Sequence, residues 1–304
     1  MPPPRGTFNP IEGPGDYDMT TIVHNDTYPA IDSANADLGG RAIFISGASK
    51  GLGRAMSVSF AKAGASMIAV GARSDLSETI RRMKDAVVKL GKPEPTILPL
   101  KLDVSDRASV DAAVAQIKEK FGRIDIVINN AGVLGGAGLV AESDPDEWRR
   151  CFDVNLMGPY LVMRACIPLM LERGGDKTLI TVSSVGAHCR SPSMSAYQIS
   201  KLAVVRLQEF VVAEYGDKGV IAYSIHPGNI PTDIVGGLEG LSPVLRPVFV
   251  ETPELSADSL VYLTLKRREW LGGRYVNVTW DLPELMSKED EIVKGDKLKV
   301  KLVV

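Results

Sequence analysis

The stretch from Ala42 to Gly53 constrains the fold more than any other part of the chain. Ala42-Ile43-Phe44-Ile45 is a short apolar run that ends in a glycine-rich turn, Gly47-Ala48-Ser49-Lys50-Gly51-Leu52-Gly53. Met56, Phe60 and Ala63 then recur at helical spacing. A buried strand that turns through glycines into a helix is the opening unit of a parallel α/β sheet, because parallel strands can be joined only through a covering crossover. The same unit has a chemical use. The first turn of a helix leaves backbone N–H groups without partners, and residues lacking Cβ let a phosphate come close to them. The glycine trio alone is weak evidence, since the chain holds 29 glycines and tight turns need them anyway. Its neighbours decide the matter.

Six further apolar runs follow, at residues 67–70, 96–102, 124–128, 179–182, 220–225 and 274–278. Helical patterns separate most of them, at about 80–90, 108–120, 145–173 and 196–215. Short β-rich strands alternating with helices predict an α/β fold, a doubly wound parallel sheet covered on both faces. With 45% hydrophobic and 24% charged residues, 304 residues suffice for one such unit. The domain is placed at 40–281. Residues 1–39, rich in Pro, Gly, Asp and Asn, read as an irregular surface arm, and 282–304 as a charged tail. The alternation Val300-Lys301-Leu302-Val303-Val304 could add an edge strand.

Composition excludes several partners. The net charge of -2, with both signs spread along the chain, offers no basic stripe for nucleic acid or anionic lipid. No run of about 18 apolar residues is visible and the first residues lack an apolar signal core, so no membrane partner is expected. Cys151, Cys166 and Cys189 form no C-x-x-C pair and suit a reducing compartment, hence a cytoplasmic expectation. No His or Cys spacing marks a metal site, and His188 and His226 are read as non-catalytic.

Three segments share one signature: the G-x-x-x-G-x-G turn, then Asp103-Val104 at the end of the third strand, then Asn129-Asn130-Ala131-Gly132. Together they resemble the short-chain dehydrogenase/reductase family in its single-domain, Rossmann-type branch. The resemblance implies a nicotinamide dinucleotide, with its pyrophosphate against Gly47, Ser49, Lys50, Gly51, Leu52 and Gly53. It puts the adenine beside Asp103 and Val104, with Asn130 and Gly132 completing the floor. An acid at the end of the second strand would hold a free ribose hydroxyl, but the chain reads Gly71-Ala72-Arg73-Ser74 there. Arg73 and Lys50 instead offer two cations to a 2′-phosphate, each charge-assisted bond being worth roughly 1.5 to 3 kcal/mol. NADP(H) is therefore expected, with NAD(H) the alternative.

Tyr197-x-x-x-Lys201 lies on a helical stretch, where i and i+4 share a face. Ser184 stands before it at a strand end, and Asn155 sits in Val154-Asn155-Leu156-Met157-Gly158. In order and spacing the four resemble the family's Asn-Ser-Tyr-Lys tetrad. Carbonyl reduction needs a proton for the incipient alkoxide, and a phenol with pKa about 10 gives or takes one readily only if a cation assists. A unit charge about 4 Å away at an effective dielectric near 20 is worth roughly 4 kcal/mol, enough for a shift of about three pH units. By resemblance, Lys201 and Tyr197 also touch the nicotinamide ribose, Ser184 holds the substrate oxygen, and Asn155 positions a water behind Lys201. His226-Pro227-Gly228-Asn229-Ile230-Pro231-Thr232 is similar to the family segment behind the nicotinamide, which assigns Pro227, Gly228, Ile230 and Thr232 to the cofactor.

Residues 233–256, punctuated by Gly and Pro and carrying Leu, Val and Phe, stand where the family keeps a mobile lid over an apolar substrate. Thr279-Trp280-Asp281 replaces a V-D-G-G ending. Arm, lid and tail look most like fungal members acting on secondary metabolites. Leu161, Ile167 and Leu171 on one helix, and Leu202, Val205 and Phe210 on another, are expected to pair across a twofold axis in a homodimer or homotetramer. The expected activity is hydride transfer between NADP(H) and a ketone or secondary alcohol of a small, largely apolar molecule. A redox-neutral isomerase, epimerase or cyclase, or a dinucleotide-binding sensor, are the alternatives.

Overall fold

In the computed structural model residues 19–173 and 175–302 are described. Seven strands form one sheet: Ala42–Ser46 (β1), Met67–Ala72 (β2), Thr96–Lys101 (β3), Ile126–Asn129 (β4), Thr178–Val182 (β5), Ile221–His226 (β6) and Tyr275–Asn277 (β7). Their order is β3-β2-β1-β4-β5-β6-β7, and every pairing is parallel. Helices Gly51–Lys62 (α1), Ser77–Leu90 (α2), Arg107–Phe121 (α3), Pro145–Phe152 (α4), Gly158–Arg173 (α5), Ser195–Tyr215 (α6) and Pro253–Leu265 (α7) cover the two faces. Alternation along β1 shows how. Ile43 and Ile45 pack into a layer with Met56 and Phe60 of α1 and Leu260 of α7, while Phe44 between them joins Ile117 of α3 and Val162 of α5. The chain winds outward from β1 to β3, then returns to start β4 on the other side of β1. A crevice opens at that reversal, above the carboxyl ends of β1 and β4, where doubly wound sheets bind ligands.

The helix expected over 145–173 runs unbroken but loosens into a π turn at Asp153–Met157, between α4 and α5. By length and composition this continuous run, Pro145–Arg173, could cross a membrane, which the sequence reading overlooked; 61% of its apolar window is buried inside the fold, as in a core helix. The apolar faces also differ from expectation. Leu161, Ile167 and Val205 are buried in their own chain, whereas Met157, Tyr160, Ile199, Leu202 and Phe210 are exposed.

Residues 19–41, ahead of β1, carry one 3-10 turn at Ser33–Asn35, and they do not lie loosely on the surface. Ile31 and Leu38 are fully buried against α1 and α7. Val23 bridges Trp280 antiparallel, His24 N donates to Thr279 O at 2.7 Å, and His24 Nε2 meets Asp281 Oδ2 at 2.9 Å. Residues 1–18 of the expected arm lie outside the described residues. The tail forms two short helices, Leu282–Ser287 (α8) and Glu289–Lys294 (α9), which bury Leu282, Leu285 and Ile292. No edge strand forms over 299–302, and Val303 and Val304 lie outside the described residues. Instead Leu298 O accepts from Tyr275 N at 2.8 Å and Val300 packs on the cluster of Ala187, Val205 and Tyr275. One carbonyl thus satisfies the edge N–H that a strand would have paired.

Candidate functional site

The crevice begins at the glycine turn. Gly47 has a φ of +68°, and a Cβ there would lie 2.8 Å from Ala131 Cα; a Cβ on Gly53 would lie 2.2 Å from Gly47 O. Both positions are therefore closed to any other residue. Asn130 Nδ2 donates to Ser46 O at 3.0 Å and to Gly47 O at 3.1 Å, which locks the turn to the end of β4. Helix α1 starts at Gly51 behind an extended Lys50 that makes no side-chain cap, so its first N–H groups face the crevice without a capping oxygen. This cradle fits the diphosphate of a dinucleotide.

Charges flank it. Asp103 Oδ1 accepts from Ser105 Oγ at 2.6 Å and Ser105 N at 3.0 Å, and these bonds, with Arg73 adding a smaller effect, hold the carboxyl below its usual range. Arg73 Nη1 stands 3.8 Å from Asp103 Oδ2, and Lys50 Nζ stands 2.9 Å from Asp233 Oδ2. Each cation expected at a 2′-phosphate thus already faces a carboxylate.

At the other end, Tyr197 and Lys201 stand one turn apart on α6. Lys201 is held at both ends: Nζ donates to Val182 O at 2.9 Å, and its carbonyl accepts from Ser183 Oγ at 2.8 Å. Its Nζ lies 5.6 Å from the Tyr197 ring centroid. Burial pushes the Lys201 ammonium down to about 8, since a low-dielectric setting disfavours the charged form. Burial pushes Tyr197 up, opposed by its hydrogen bond with Ser184. The sequence argument had Lys201 lowering the phenol. Desolvation prevails over that effect, and the ammonium is turned to the Val182 carbonyl.

Ser184 follows β5 and caps a short turn, its Oγ accepting from Gly186 N at 3.0 Å. A Cβ on Gly186 would fall 3.3 Å from that Oγ and 3.4 Å from Cε1 of Tyr197. Asn155, in the π turn, is committed elsewhere: Oδ1 accepts from Val133 N at 2.9 Å, and Nδ2 donates to Val133 O at 2.8 Å and Ser200 Oγ at 3.1 Å. Its side chain ties the segment after β4 to α6. After β6, Gly228 turns with φ +92° against Glu251, whose Oε2 accepts from Asn229 N at 2.8 Å. Thr232 presents its methyl to Gly51, a Cβ on which would stand 3.7 Å away.

One cavity of about 870 Å³ joins these parts. Every position expected at the site from sequence lines it except Asn155, which stands behind Gly132: a Cβ on Gly132 would lie 3.4 Å from Asn155 Oδ1 and 3.5 Å from Lys201 Nζ. Beyond Tyr197 the wall turns apolar through Val185, Met194, Ile234, Leu241, Leu245 and Phe249. The segment 233–252 carries 3-10 turns at Asp233–Val235 and Arg246–Val248 and forms the outer side of this wall. Sequence reasoning missed Ser183, Ser200, Gln198 and Glu251. Gln198 clasps the loop before α6, accepting from Ser191 N at 2.8 Å. None of these has a spacing signature, because each meets its partner from another element.

The profile of the family described as short chain dehydrogenase matches residues 41–239. The chain is 57% identical over 303 residues to the short chain dehydrogenase pigC of Monascus ruber, covering 100% of both proteins. It is 54% identical to the short chain dehydrogenase tazN of Aspergillus terreus, covering 96% of this chain and 63% of the relative's length. Among solved structures, a short-chain type dehydrogenase/reductase from Mycobacterium marinum superposes with a TM-score of 0.71 at 28% identity, over 82% of this chain and 97% of the other.

Proposed function

The chain belongs to the short chain dehydrogenase family, and on that premise we propose that it is an NADP(H)-dependent reductase of a ketone on a small, largely apolar molecule. The observation that carries this reading is the single cavity in which the uncapped start of α1 and the Ser184, Tyr197 and Lys201 side chains meet. The nicotinamide dinucleotide, when bound, supplies or accepts the hydride. The chain's own residues do the rest. Gly47, Ser49, Gly51, Leu52 and Gly53 receive the diphosphate on backbone N–H groups, and Asn130, Gly132, Pro227, Gly228, Ile230 and Thr232 line the nicotinamide half. Asp103 and Val104 flank the adenine end. Arg73 and Lys50 favour the 2′-phosphate, for no acid occupies the end of β2.

Ser184 Oγ accepts from Gly186 N and is hydrogen-bonded to Tyr197, so a substrate carbonyl oxygen seated between the two would take over the Ser184 O–H from the phenol. Tyr197, whose phenol is pushed up by burial, gives a proton as the carbonyl oxygen gains charge and takes one back in the reverse transfer. Lys201 steadies the departing phenolate charge. Asn155 acts through Val133 and Ser200, holding the floor in place.

Fluorescence titration with NADPH and NADH, followed by a ketone panel read at the reduced-nicotinamide absorbance band, tests the reading. Tighter NADPH binding and consumption by some ketone is the expected result. Tight binding with substrate conversion but no change in absorbance would replace it with a redox-neutral isomerisation.

The exposed apolar strip of Met157, Tyr160, Ile199, Leu202 and Phe210 supports a homodimer or homotetramer built on α5 and α6.

A further inference from the structure

Val185 directly follows Ser184, and its N–H donates to Nδ1 of His226 at 3.0 Å. The imidazole is 2% exposed and closes β6, one residue before the Pro227-Gly228 turn. That contact fixes the tautomer: an Nδ1 that accepts carries no proton, so in the neutral ring the proton sits on Nε2. Burial, with His188 close by, pushes the ring down to about 3, so neutral is the form held at any working pH. The Nε2–H is itself buried and has no hydrogen-bond partner among the described residues. An unmade buried donor is unfavourable, and an apolar side chain of similar size would remove it. What no apolar side chain supplies is an acceptor for the Val185 N–H.

We propose that His226 is a positioning residue for Ser184. Its Nδ1 ties the peptide just past Ser184 to the turn that backs the nicotinamide half of the cavity, and so sets where the Ser184 hydroxyl meets the substrate oxygen. The inference rests on the role given to Ser184 above. It also links the ends of β5 and β6, so that a shift of the Pro227-Gly228 turn is felt at the hydroxyl.

The chain holds three histidines, so ¹⁵N-histidine NMR on the dinucleotide-free protein resolves the ring directly. His226 is expected as the Nε2–H tautomer, without titration between about pH 5 and pH 8. A proton on Nδ1, or titration in that window, overturns the proposal, and this readout needs no substrate. On a ketone that the wild type reduces, His226→Leu is expected to lower kcat about 10- to 100-fold, the scale of a small misplacement of a reacting group. The Kd for NADPH and the unfolding midpoint should stay near wild type. His226→Asn, whose amide oxygen can take the place of Nδ1, should recover most of the rate. Should the Leu variant fail to fold, His226→Gln, whose amide reaches only the Nε2 position, takes its part. Wild-type kcat without the acceptor, or equal loss in both variants, overturns the proposal; failure to find any reducible ketone would instead count against the reductase reading and leave the NMR result standing.

Discussion

Lys50 Nζ and Asp233 Oδ2 meet at 2.9 Å across the mouth of the crevice, joining the start of α1 to the start of the lid segment. Both side chains are largely exposed, and the ammonium holds the Asp233 carboxyl below its ordinary range. A 2′-phosphate must compete with that carboxylate for Lys50. Asp233→Asn is therefore expected to tighten NADPH binding a few-fold and leave NADH binding unchanged, with the gain fading as salt screens the exposed charges. Arg73→Ala should act oppositely, weakening NADPH by about tenfold or more and NADH much less. Parallel titrations with both dinucleotides measure the two effects; equal losses for Arg73→Ala would refute its assignment to the phosphate.

Tyr197→Phe removes the phenolic proton and almost nothing else. A loss of about 10²- to 10⁴-fold in kcat is expected, the range for a general acid, with the Kd for the dinucleotide near wild type. A fully active Phe variant would sink the mechanism.

Lys201 gives a pH signature with a definite sign. Its folded value near 8 lies below the unfolded value of 10.5, so the folded state binds this proton less tightly. Its cost to stability is present in full below about pH 8 and is relieved as pH rises towards 10.5, a change of about 3 kcal/mol. Denaturant unfolding of wild type and Lys201→Met at pH 7 and pH 10 should show the difference between them changing in the wild type's favour. Because the charged form is the useful one, kcat/KM should also fall above about pH 8. A flat profile to pH 10 would argue that the ammonium is dispensable.

Gly186→Ala would put a methyl group 3.3 Å from Ser184 Oγ and 3.4 Å from the Tyr197 ring. The first approach is tighter than an ordinary Cβ contact and the second is at its limit, so the methyl takes room from the ketone oxygen. KM for the ketone should rise several-fold or more while dinucleotide binding stays unchanged, which steady-state kinetics and titration can separate.

Phe210, at 57% exposure, is among the most prominent apolar side chains on α6. Phe210→Glu should shift the molecular mass seen by light scattering towards the monomer. Unchanged mass would move the interface off this face.

What the sequence could disclose was local. The strand, turn and helix from Ala42 to Lys62, and the Tyr197 to Lys201 pair, lie within single elements, so spacing alone carries their geometry. The parallel sheet was legible for the same reason, since strands covered on both faces read as unbroken apolar runs. The rest depended on distant pairs. Asn155 reads as a lone polar residue until Val133, 22 residues away, accepts and donates to it. The interior of α5 and α6 could not be told from an outer face, because Val205 and Phe210 have similar side chains and only packing separates them. Lys50 and Arg73 were recognisable as cations, but not their carboxylate neighbours from other loops.

The bridge between Val23 and Trp280, with His24 on Asp281, joins residues 257 apart in the chain. A ribosome releases the first of these long before the second exists. Val23 and His24 must therefore wait beside a growing, half-covered sheet until β7 and the tail arrive, and their docking is one of the last events of synthesis. A nascent chain stalled short of Trp280 would leave Val23 and His24 open to protease, and release of the stall would close them.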